Sequence, residues 1–118
     1  MPGDKPDGYG RAENQCGDSI EIFVRLKGGA LDDVSCGAHG CANVLMCAQA
    51  AVLLARDKTL GDARRATSAE AIVAALGGQL PEHELHCAEM ASRAMARALE
   101  EAAQSAREPW RRLYKTRP

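Results

Sequence analysis

The feature that most constrains this chain is a change of hydrophobic period at Gly37. Before it, residues 19–26 read Ser-Ile-Glu-Ile-Phe-Val-Arg-Leu. Ile20, Ile22, Val24 and Leu26 alternate with Glu21, Phe23 and Arg25, which specifies a strand with one buried face. Gly28–Gly29 can take positive φ and turn the chain. Residues 30–36 then form a second strand, with Val34 and Cys36 on one face. After Gly37 the period becomes helical. From Cys41 to Arg56, Val44, Leu45, Ala48, Ala51, Val52 and Ala55 make one stripe. Thr59, with Asp62 in its first turn, starts a short helix. Ser68, with Glu70 and Ala71, starts another, which Gly77–Gly78 ends. The longest helix runs from about Glu84 to Arg107. It buries Met90, Ala91, Ala94, Met95, Ala98, Leu99 and Ala102, pairs Glu89 with Arg93 and Arg97 with Glu101 on its other face, and stops at Pro109.

Strands first and helices afterwards is the order of an α+β domain. The expectation is a small antiparallel sheet of two to three strands, packed on one face by helices, with a long C-terminal helix. Residues 1–10 read as a flexible lead-in, with an extended stretch near Arg11–Gln15. Residues 11–107 form the domain. Residues 108–118 are a basic tail with Trp110, Arg111, Arg112, Lys115 and Arg117, read as a solvated terminus.

The 118 residues suffice for one core and not for two. With only one Trp, two Tyr and one Phe, that core is built from Ala, Leu, Val, Ile and Met, and a bound metal or cluster would add to its stability. Fifteen Lys+Arg against sixteen Asp+Glu argue against a nucleic-acid binder held by counterion release. No apolar run approaches the ~20 residues of a membrane span. MPGDKPDGYG lacks the apolar stretch of a secretory signal. The expectation is a cytoplasmic chain, where disulfides are rare. Five cysteines cannot all pair within the chain in any case. Neither glycine pair is followed by the Lys and Ser/Thr of a phosphate loop, and no Ser/His/Asp arrangement stands out.

Three cysteines sit at element boundaries. Cys16 lies in Gln15-Cys16-Gly17-Asp18 before the first strand. Cys41 lies in Gly40-Cys41-Ala42 at the start of a helix. Cys87 lies in Leu85-His86-Cys87-Ala88 at the start of the last helix. They are far apart in the chain, so any common site must be made by the fold. A helix N-terminus favours a thiolate, which predicts ionised Cys41 and Cys87. Thiolates bind soft metals, hold iron–sulfur clusters and attack persulfides. Asp18 and His86 stand beside two of these cysteines and offer oxygen and nitrogen ligands. Three thiolates plus a carboxylate or imidazole leave one exchangeable corner, suited to cargo that must be released.

Cys-Gly-Asp, then Gly-Cys-Ala after a Gly-rich turn, then His-Cys opening a final helix, resembles the NifU/IscU iron–sulfur cluster assembly scaffolds. The likeness runs from about Gly10 to Ala103. It implies that Cys16, Cys41 and Cys87 bind the cluster and accept sulfur, with Asp18 the neighbouring carboxylate and His86 an alternative ligand. It implies a transient 2Fe-2S cluster built from iron and persulfide sulfur, or a zinc ion in its place. The implied partners are a cysteine desulfurase and apo iron–sulfur proteins as acceptors, with a homodimer also compatible. The chain would be a scaffold and carrier, not an enzyme. Two other readings stay open. One is a zinc-binding persulfide acceptor that only relays sulfur from a desulfurase. The other is a diverged regulatory module of the same fold.

The chain departs from the family pattern in places. The segment read by a dedicated chaperone in IscU-type members, Leu-Pro-Pro-Val-Lys, is here Leu80-Pro81-Glu82-His83-Glu84. The Lys expected two residues before His86 is Glu84, whose negative charge disfavours neighbouring thiolates. The interval between Cys41 and Cys87 is too short for the insertion of the zinc-dependent SufU branch. Cys36 and Cys47 are extra and read as packing residues. Cys47 falls six positions after Cys41, about 240° further round a helix, off the face of Cys41. Cys36, His39 and Cys41 invite a local zinc site, but that would leave out Cys16 and Cys87. His39 and His83 read as solvent-exposed loop residues.

Overall fold

The computed structural model describes residues 6–15, 17–78 and 80–107. Its elements are β1 (Gly8–Glu13), β2 (Ser19–Lys27), β3 (Ala30–His39), α1 (Ala42–Ala55), α2 (Leu60–Ala66), α3 (Ala69–Ala75), a single 3-10 turn (Glu82–Glu84) and α4 (Leu85–Arg107). The strands form one antiparallel sheet in the order β1-β2-β3. The α+β expectation holds, with three strands.

The hairpin forms as its residues dictate. Ile20, Ile22 and Val24 are buried, and Gly28 and Gly29 turn the chain at φ of 62° and 86°. On the opposite face Tyr9 pairs with Phe23, ring centroids 5.1 Å apart, and the Tyr9 hydroxyl donates to Glu21 Oε2 at 2.6 Å.

The first strand begins earlier than expected. Residues 8–10, read as part of a flexible lead-in, belong to the sheet, with Gly8 opposite Val24 and Gly10 opposite Ile22. A period-two signal needs side chains, and glycine has none to show. The two glycines instead let α4 lie directly on the backbone of β1. A Cβ on Gly8 would stand 2.1 Å from the Ala98 carbonyl oxygen, and one on Gly10 2.1 Å from that of Ala94. Arg97 and Glu101, expected to pair on the exposed face of α4, also reach across to this strand. Arg97 donates to the Arg11 carbonyl, and Glu101 Oε1 accepts from the Tyr9 N–H at 3.0 Å.

The buried face of α4 is the one expected: Met90, Ala91, Ala94, Met95, Ala98, Leu99 and Ala102 are all buried. The stripe on α1 is turned. Val44, Ala48, Ala51 and Ala55 are buried, but so are Cys47 and Ala50, whereas Leu45 is 45% exposed. Almost every position of α1 is apolar, so its pattern cannot orient it, and the packing of β3, α3 and α4 does. Thr59 and Ser68 cap α2 and α3 as expected, accepting from the N–H groups of Asp62 and Ala71.

The start of β3 is tied to the turn after α1. The Asp57 N–H donates to the Leu31 carbonyl, and the Leu31 N–H to the Lys58 carbonyl. Ala30 bridges to Thr59. Among the described residues, no helix is long and apolar enough to cross a membrane. The basic tail and Trp110 lie outside the described residues.

Candidate metal and sulfur site

The site gathers where the end of β3, the start of α1 and the start of α4 meet. Cys41 is the N-cap of α1, in extended backbone at φ −74° and ψ 173°, and is exposed. Its carbonyl accepts from the N–H groups of Val44 and Leu45. Cys87 lies in the first turn of α4 and is fully buried. The 3-10 turn before α4, closed by the Glu84 N–H on the Pro81 carbonyl, places Glu84 one turn ahead of Cys87 on the same side. The Sγ atoms of Cys41 and Cys87 and one carboxylate oxygen of Glu84 all lie within 4.8 Å of one another. The Cys87 thiol donates to Glu84 Oε2 at 3.3 Å.

His86 stands at the rim, its side chain 47% exposed. Its Nε2 is 3.7 Å from Cys87 Sγ and 3.9 Å from Glu84 Oε2. A hollow of about 490 Å³ beside it is lined by Glu13, Asn14, Gln15, His86, Met90 and Arg93. His86 therefore faces the residues that lead into Cys16.

Cys16 lies outside the described residues, but its flanks are placed. The Asn14 N–H donates to the Asp18 carbonyl, and Asn14 Oδ1 accepts from the Asp18 N–H, both at 3.0 Å. Asn14 Nδ2 donates to Asp18 Oδ2 at 3.2 Å. The β2–β3 register sets Ser19 opposite His39, which brings Asp18 beside Gly40. Asp18 packs so closely on Gly40 that a Cβ there would stand 2.6 Å from Asp18 Oδ1. Gly40, at φ 145°, makes room for the carboxylate next to Cys41.

The electrostatics reverse one expectation. Cys87 was expected to be ionised by the helix end. Its thiol is instead pushed up to about 12, first by burial, then by its hydrogen bond to Glu84 and by the charge of that carboxylate. Desolvation and a like charge outweigh the helix end. The expectation that Glu84 disfavours a neighbouring thiolate holds.

Cys47 is fully buried, as a packing residue should be. Burial first, and the charges of Cys41 and Glu84 after, push its thiol up to about 11. Cys36 packs half-buried against the core opposite Ile22, and burial raises its thiol. His39 is the exposed last residue of β3.

Glu84 was noted in the sequence for its charge and not as a donor. The signal was the three-residue spacing to Cys87, one helical turn. It was obscured because the 3-10 turn that aligns them has no strong sequence mark.

The NifU-like N terminal domain family matches residues 4–107. The iron-sulfur cluster assembly scaffold protein IscU 1 of Archaeoglobus fulgidus is 34% identical over 94 residues, or 79% of this chain. The chain spans 60% of that relative's length. The bifunctional protein NifU/MnmA of Rubrobacter xylanophilus is 35% identical over 98 residues, which are 20% of its length. In fold, the chain is similar to the N-terminal part of a nitrogen-fixing NifU-like protein from Brucella abortus. The TM-score is 0.62 at 12% identity, over 86% of this chain and 82% of that one. By its match over residues 4–107, the chain belongs to the NifU-like N-terminal domain family.

Proposed function

We propose that this chain is an iron–sulfur cluster assembly scaffold. It accepts sulfur and iron, holds a 2Fe-2S cluster transiently, and passes it to apo-proteins. The observation that carries the reading is the meeting of Cys41 and Cys87, 46 residues apart in sequence, at one place in the fold. Sequence kinship to a protein named as a scaffold supports it.

Sulfur arrives as the outer atom of a persulfide on a cysteine desulfurase. A scaffold thiolate attacks that atom, the desulfurase leaves as its own thiolate, and the scaffold cysteine becomes the persulfide. Cys16, Cys41 and Cys87 are the sulfur acceptors and then the iron ligands. Asp18 and His86 are the candidates for a fourth ligand of that cluster. A cluster held by four thiolates is kept, whereas a carboxylate or imidazole corner exchanges more readily and permits transfer.

The test is anaerobic reconstitution with ferrous iron, cysteine, a desulfurase and a dithiol reductant, which supplies the two electrons that turn each persulfide sulfur into sulfide, followed by transfer to an apo-ferredoxin. The expected result is thiolate-to-iron absorption that decays as the ferredoxin gains its own. Replacing Asp18 by Ala should slow that transfer. Absence of charge-transfer bands with the native chain would sink the scaffold reading. A zinc content of one ion per chain in that case would favour the persulfide-relay reading, for which the carboxylate beside Cys87 is the supporting observation.

A further inference from the structure

We propose that Cys41, Glu84 and Cys87 form a mononuclear site for a borderline divalent cation, zinc or ferrous iron, with Glu84 and not Asp18 as its oxygen ligand. The inference rests on the reading above in taking Cys41 and Cys87 as metal ligands. It adds a residue which that reading does not use.

The geometry fits. A tetrahedral cation with bonds of ~2.3 Å to sulfur and ~2.1 Å to oxygen needs S···S near ~3.8 Å and S···O near ~3.5 Å. The Cys87–Glu84 pair already stands at 3.3 Å, and the largest separation in the triad is within 4.8 Å. Closing the triad therefore takes movements of about 1.3 Å or less, within the reach of side-chain rotation. Glu84 is well held for the purpose. The turn at Pro81–Glu84 fixes its backbone, and its side chain is only 21% exposed. Its oxygen already accepts the Cys87 thiol, so a cation entering there replaces a proton along an existing line of contact.

Asp18 is committed elsewhere. Its carboxylate accepts from Asn14 and packs on Gly40, and among the described residues it is not part of the donor group. The chain therefore carries two separable carboxylates. Glu84 serves the first metal, and Asp18 serves the later cluster. The charge balance is simple. One divalent cation enters, two thiol protons leave to solvent, and nothing is oxidised or reduced.

The test uses the full chain, stripped of metal and reduced, with Co²⁺ as probe and Zn²⁺ as competitor. The expected result is one Co²⁺ per chain with thiolate-to-cobalt absorption, displaced by Zn²⁺. Glu84→Gln, which preserves shape, and Glu84→Lys should each weaken binding by about 10-fold or more. Asp18→Asn, which removes no direct ligand, should weaken it less than Glu84→Gln does. Circular dichroism of the metal-free variants checks that each is folded.

Glu84→Gln binding Co²⁺ as the native chain does would overturn the proposal. So would a greater loss with Asp18→Asn than with Glu84→Gln. Cluster reconstitution run in parallel separates the two readings. Cluster assembly that persists while cobalt binding ignores Glu84 removes only this inference. Glu84-dependent cobalt binding without cluster formation supports it and removes the scaffold reading.

Discussion

Gly10→Ala should be among the most damaging single-methyl additions available in this domain. The new Cβ would lie 2.1 Å from the Ala94 carbonyl oxygen, 2.5 Å from the Ala98 nitrogen and 2.9 Å from the Arg97 Cβ. The first two are backbone atoms of α4, so no side chain can swing away. Ordinary contact begins near 3.4 Å, which means that α4 must retreat from β1 by about 1.3 Å. A gap of even ~0.5–1 Å forfeits a quarter to a half of each contact's attraction, and Ala94, Ala98 and Ala102 all face this seam. Overpacking of this kind costs ~1–3 kcal/mol. The backbone clash places this site at the upper end, about 3 kcal/mol, or a melting point lower by roughly 10–20 °C. The assay is urea and thermal unfolding of the metal-free chain. The control is Gly37→Ala, whose Cβ meets Glu21 Oε1 at an ordinary 3.6 Å and which should stay within about 0.5 kcal/mol of the native chain. A Gly10→Ala protein that melts within two or three degrees of the native chain, taken as ~0.5 kcal/mol, would refute the close-packed seam.

Other consequences concern the thiols. Glu84→Lys removes both the acceptor of the Cys87 thiol and a like charge, so the thiol should ionise more readily and Cys87 should alkylate several-fold faster at pH 8. An unchanged rate, followed by peptide mass spectrometry, would show that burial alone governs that thiol. The stability of the metal-free protein should also respond to alkali. The folded-state values of Cys47 and Cys87 are raised to about 11 and about 12, so above the ordinary thiol range, ~8.5, the unfolded chain loses these protons first. The stabilisation is therefore complete below that range and declines as pH rises through it. The urea midpoint should fall between pH 8 and 10, and less steeply in a Cys87→Ser variant. Equal slopes would contradict the assignment.

What could be read from the sequence was what side chains announce by period or by chemistry. β2 and the face of α4 alternate or repeat cleanly, and Thr59 and Ser68 mark their helix starts with hydroxyls. Hidden features depended on absence or excess. β1 is carried by glycines that give no period, and α1 is apolar on nearly every side, which leaves Leu45, Met46 and Leu53 exposed. At the site, the cysteine motifs located Cys41 and Cys87, and their resemblance to a family supplied the chemistry. The sequence could not show that a 3-10 turn would bring Glu84 onto Cys87. That depends on backbone angles at one or two residues.

The reciprocal bonds between Leu31 and Asp57–Lys58 close a ring. The chain leaves Leu31 along β3, turns at Gly40, returns along α1 and is fastened to its own starting point. Breaking that fastening would release β3 and α1 together, so these elements should open as one cooperative unit, with slow amide hydrogen exchange throughout. Cys41 lies at the far apex of the ring. That thiol is thus carried by two elements fastened to each other a whole helix away, and exposed without being loose.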